Sequence, residues 1–137
     1  MKKYILINHT ADLALRIFGK DPAELFSNAA FALFDMITDS SPQGEKEMEI
    51  RVSGEDMPDL MFHWLRELLY LWNGRGFLLC GSRISAISAQ ELQATVRLAH
   101  YNPAHHRIKE EIKAVTYHCL SAEQKNSEWV AEVVLDV

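Results

Sequence analysis

A chain of 137 residues, 48% of them apolar, has the length of one domain and can bury roughly two-thirds of its unfolded surface without disulfide or metal staples. A formal net charge of −5 disfavours direct, sequence-independent binding to the anionic backbone of nucleic acid, and suits a basic protein partner or a bound cation. No run of about twenty apolar residues is present to span a bilayer, and the apolar stretch after Lys2-Lys3 is too short for a signal peptide, so a cytoplasmic protein with no membrane partner is expected.

In chain order, residues 4–7 read as a strand, and the alternation of Leu13, Leu15 and Ile17 with Ala14, Arg16 and Phe18 predicts a second. Asp21-Pro22-Ala23-Glu24 opens a helix over residues 21–36: Asp21 caps, Pro22 fits the first helical position and Glu24 completes a capping box. Residues 46–53 alternate as a half-exposed strand. A second helix follows Gly54-Glu55-Asp56, carries Leu60, Met61, Trp64, Leu65, Leu68, Leu69 and Trp72 on a wide apolar face, and stops at Asn73-Gly74. The rest predicts strands at residues 77–80, 83–89, 91–99, 111–120 and 128–137, with a loop at 101–106 and a turn at 122–127. No linker divides residues 1–137. The order argues for α+β, with two helices packed on a largely antiparallel β-sheet or pair of sheets.

Most motifs that carry chemistry are missing. There is no P-loop and no dinucleotide fingerprint, and Gly74-Arg75-Gly76 is better explained as a helix stop than as an anion cradle. Six histidines include the pair His105-His106, but none has zinc-ligand spacing. Cys80 and Cys119 read as two buried free thiols of a reducing compartment. His118-Cys119 are neighbours that would face opposite sides of a strand.

Carboxylates give the strongest local signal. Asp12 closes the run His9-Thr10-Ala11-Asp12, and Asp136 stands in Val133-Val134-Leu135-Asp136-Val137. Taken singly, Asp12 reads as a turn residue and Asp136 as a solvated strand end. If the two terminal strands pair, hard oxygen ligands of Asp12, Asp136 and Val137 converge, which suits a divalent cation. Lys113, in Ile112-Lys113-Ala114-Val115-Thr116-Tyr117-His118, either extends past the sheet rim or stands near the carboxylates and faces a partner.

These runs, in this order, resemble the archease family. The likeness rests on His9-Thr10-Ala11-Asp12 before an alternating strand, on Gly19 and the capped helix ending in Phe34-Asp35-Met36-Ile37-Thr38-Asp39, on Ile112 to His118, and on Leu135-Asp136-Val137. The resemblance implies an archease-like single domain and a helper rather than an enzyme. Archeases assist the tRNA-splicing RNA ligase, which joins 3′-phosphate or cyclic-phosphate RNA ends to 5′-hydroxyl ends. The helper promotes ligase guanylylation and multiple turnover, and meets RNA only indirectly, through the ligase. The resemblance also implies a metal site of Asp12, Asp136 and Val137. Calcium is the first expectation there, with magnesium or manganese as alternatives. It marks Lys113 as functional, and His9 joins Lys113 as a candidate for acting on the partner. Two other functions stay open on the residues: a stand-alone metal-dependent phosphoester hydrolase using the same acids with His9 or Lys113, and a chaperone-like binding module.

Overall fold

The computed structural model describes residues 2–8 and 12–137. Along the chain run β1 (Tyr4–Asn8), β2 (Asp12–Gly19), α1 (Pro22–Ile37), β3 (Lys46–Ser53), α2 (Met57–Asn73), β4 (Phe77–Ile87), β5 (Glu91–His100), β6 (Ala114–Val115), β7 (Ser121–Lys125) and β8 (Glu128–Asp136). One sheet has the order β1-β2-β8-β6, with β7 also paired to β8; the other has the order β3-β5-β4. All of these pairings are antiparallel. Helix α1 rests on β2 and β4, and α2 on β3, β4, β6 and β7. The expected α+β architecture is therefore present as a pair of sheets, with each helix touching both.

Side-chain alternation fixes which face of the first sheet is buried. Leu13, Leu15 and Ile17 of β2 and Ala131, Val133 and Leu135 of β8 point into the core, and all are nearly inaccessible to solvent. A register slip of one residue would turn both sets outward. Across the helix layer, the fully buried Trp64 of α2 donates its indole N–H to the Phe26 carbonyl of α1 at 2.9 Å.

Both helices begin in the same way. Asp21 accepts the Glu24 N–H at 2.8 Å, and Asp56 accepts the Asp59 N–H at 2.9 Å. Each acid reaches back in turn, Glu24 to the Lys20 N–H and Asp59 to the Glu55 N–H. The glycine before each cap lies against its helix. A Cβ at Gly19 would fall 2.4 Å from the Leu25 nitrogen, and one at Gly54 would fall 2.6 Å from the Leu60 nitrogen. Gly-x-Asp-x-x-Asp/Glu-Leu thus turns strand into helix twice, in a repeat too short to show in the chain's overall pattern.

The structure corrects four expectations. Residues 77–80 and 83–89 are one strand, because bulges at Leu79/Gly81 and Ile84/Ala86 absorb the break in alternation. Residues 111–120 are mostly irregular, with only Ala114–Val115 paired. Residues 121–125 are a strand rather than part of a turn. Their polar side chains look like loop chemistry, yet only Ala122 faces the core. The turn contracts to Asn126 and Ser127, both at positive φ (50° and 70°), as a two-residue hairpin requires. Neither cysteine is buried: Cys80 is half-buried and Cys119 exposed, and both are free.

Candidate functional site

Asp12 and Asp136 stand directly opposite each other across β2 and β8. Residues so paired carry their side chains on one face, with Cβ atoms roughly 4.5–5.5 Å apart. That face is the outer one, since the core-facing pair is Leu13 and Leu135, and both aspartates are exposed. Further along the same ladder and face, Arg16 opposes Glu132, and the guanidinium meets the carboxylate at 2.7 Å. One outward pair is charge-compensated; the other sets like charge against like. Opposed like charges destabilise a sheet. Among the described residues, neither aspartate forms an ion pair.

Lys113 reaches this end of the sheet by an irregular strap. The strap crosses the C-terminal ends of both helices. The Lys109 N–H donates to the Ile37 carbonyl at 2.8 Å, and the Asn73 side-chain amide donates to the Ile112 carbonyl at 2.9 Å. The Lys113 N–H then donates to the Asp136 carbonyl at 2.7 Å. Ile112 is fully buried and Lys113 exposed. Ile112 and Val115 are both buried although three residues apart, because the strap becomes a regular strand only at Ala114. Neither helix carries a basic residue in its last turn. The strap instead brings backbone N–H groups of Lys109 and Glu110 to the Ile37 carbonyl at the negative end of α1, and its Arg107 guanidinium meets Asp39 just beyond that helix at 2.8 Å.

Beyond the strap, Tyr117 stacks on Phe62 at 3.8 Å between ring centroids, and its hydroxyl donates to Asp59 at 3.2 Å. The Glu55 N–H, with further help from Tyr117 and His63, holds the Asp59 carboxyl below the usual carboxylate range. The tyrosine of the Ile112–His118 run thus braces the strap against the first turn of α2.

Of the expected site residues, the fold brings together Asp12, Asp136 and the Lys113 backbone, and Val137 follows Asp136 directly. His9 lies outside the described residues. Asn73 was legible only as a helix stop; nothing in its sequence context points to the contact with Ile112. Among the described residues, no three His, Cys, Asp or Glu side chains gather in a metal-holding arrangement. What the fold presents at this sheet end is a pair of opposed carboxylates, with Val137 next in the chain. Hard oxygen donors of this kind fit calcium, magnesium or manganese.

The model of the Archease protein family matches residues 4–137. The protein archease of Methanopyrus kandleri is 36% identical, over 96% of each chain. That of Methanosarcina mazei is 35% identical, over 99% of this chain and 97% of its own. The solution structure of Methanobacterium thermoautotrophicum protein 1598 superposes with a TM-score of 0.83 at 29% identity, covering both chains completely. The crystal structure of an archease, described as a possible chaperone, from Thermotoga maritima gives 0.65 at 28% identity, covering 100% of this chain and 98% of that one.

Proposed function

The chain belongs to the archease family, and from that premise we propose that it is an accessory factor of the RNA ligase of tRNA splicing, promoting guanylylation and multiple turnover. The single observation that supports a site on this protein is the uncompensated Asp12–Asp136 pair at an exposed sheet end. Opposed carboxylates with no cationic side chain paired to them form a place where a divalent cation lowers the energy of the fold.

Asp12 and Asp136 would hold the ion from the two strands, with an oxygen of Val137 completing the protein's share. Bound there, a divalent ion supplies positive charge against phosphate oxygens. Two side-chain carboxylates make an open cage, which suits a site completed by a partner's groups rather than a sealed structural one. Lys113 stands exposed at the same end with its backbone tied to Asp136, which leaves its side chain free to reach a docked partner. The protein's part is then to present acids and a lysine to the ligase, and to bind its nucleotide-accepting conformation better than the alternative. A relative described as a possible chaperone fits a protein whose object is another protein.

The test is ligase guanylylation with and without this protein. Asp12→Asn and Asp136→Asn should each remove most of the stimulation while leaving the circular dichroism unchanged. Full stimulation by both variants would sink the proposal. Full stimulation in the presence of chelator, with the variants still inactive, would keep the acids and remove the cation.

A further inference from the structure

We propose a second interaction surface besides the carboxylate pair: the open edge of β1 and the groove beside it accept an extended, acidic-flanked apolar segment of a partner protein by strand addition. β1 is the outer strand of its sheet. The Phe18 N–H donates to the Lys3 carbonyl at 2.9 Å, which makes Lys3/Phe18 a hydrogen-bonded pair. By the alternation of an antiparallel ladder, Ile5/Arg16 is the next such pair, and Tyr4 and Leu6 lie between and beyond them. The backbone N–H and C=O groups of Tyr4 and Leu6 therefore point away from β2, toward the open edge. Among the described residues no strand pairs with them.

Next to this edge runs an apolar groove. A shallow, open depression of about 680 Å³ is lined by Lys2, Lys3, Tyr4, Leu6, Phe31 and Met36 among others. A second, of about 310 Å³, continues past the same Leu6 and Met36 to Lys109. Leu6 is 40% exposed and Phe31 44%, both high for large apolar side chains. Strand addition uses such a combination, in which main-chain bonds give affinity and pockets for alternate side chains give specificity.

Charge selects the occupant. The groove carries Lys2 and Lys3 at one end and Lys109 at the other, on a chain whose net charge is −5. The Lys3 ammonium lies 4.1 Å from the centre of the Phe31 ring. Of the nearby carboxylates, Asp35 is taken by the Tyr4 hydroxyl and Glu110 stands beside Lys109. A segment with apolar residues at alternating positions and acids at both ends matches this layout. A second copy does not. Pairing two β1 strands antiparallel would set the Lys2-Lys3 end of each against the Lys109 end of the other. Nucleic acid has no backbone that can extend a sheet.

The test is selection of a displayed library of random 12-residue peptides on the purified protein. The expected consensus has two or three alternating apolar residues bounded by Asp or Glu. A synthetic peptide of that consensus should protect the Tyr4 and Leu6 amides from exchange. Leu6→Asp should weaken its binding at least tenfold, as should Lys3→Glu combined with Lys109→Glu; all are exposed positions, and melting temperature checks their folding. Selected peptides without acidic flanks, binding indifferent to these substitutions, or a dimer in sedimentation that buries β1 would each overturn the proposal.

Discussion

The side-chain amide of Asn73, the last residue of α2, holds the Ile112 carbonyl at 2.9 Å, and the next residue of that segment hydrogen-bonds Asp136. One helix end therefore sets where Lys113 stands. Asn73→Ala removes one hydrogen bond, worth about 1 kcal/mol of stability. Its effect on ligase stimulation should exceed that of an equally destabilising core change such as Leu71→Val. Equal loss of stimulation in the two variants, matched for stability, would mean that Asn73 does not position the strap.

Neutralising one aspartate has opposite consequences with and without a cation. In chelator, Asp12→Asn or Asp136→Asn removes a like-charge pair, and should leave stability unchanged or raise it by roughly 0.2–1 kcal/mol. With calcium at a hundred times its dissociation constant, the wild-type chain should gain about 2.7 kcal/mol and either variant far less. Thermal melts across a calcium, magnesium and manganese series measure both. Variants that gain as much as the wild type would place the ion elsewhere.

The sequence carries the helices and the terminal strands in plain form, because caps, apolar spacing and alternation are local signals. Asp21 and Asp56 announce their helices, and both caps are made in the structure. The opposition of Asp12 and Asp136 was readable only as a condition: it needs β2 and β8 to pair, and register between strands so distant in sequence is settled by burial of Leu13 and Leu135, not by any neighbour. The strap has the sequence of a strand without being one, for the converse reason. Its hydrogen bonds go to helix ends, to Ile37 and Asn73, and no periodicity records a partner so far away. β7 reads as a turn because an edge strand with a single buried alanine has a turn's composition.

The repeated strand-to-helix turn gives a sharp stability forecast. Both clash atoms belong to the helix backbone and cannot swing aside as a side chain would. Gly19→Ala and Gly54→Ala should each cost about 1–3 kcal/mol, the range of an overpacked core. The measurement is denaturant unfolding with an unchanged slope. Costs below the ordinary loss for a surface change would mean that the turn relaxes easily.

Tyr4 links the edge strand to α1 and gives a pH signature. Its hydroxyl donates to Asp35; burial, and then that bond and the aspartate's charge, push its pKa well above the ordinary tyrosine value. The group is neutral when protonated, so a raised folded-state pKa means that the unfolded chain gives up the proton first. The contribution is fully present below the unfolded value near pH 10 and is lost as pH climbs from there toward the folded one. Tyr4→Phe should therefore be less stable than the wild type at pH 7, with the gap narrowing as pH rises from 10 to 11. A gap that stays constant to pH 11 would show that the Tyr4 hydroxyl ionises in the folded state as readily as in the unfolded one, and that Asp35 does not hold it.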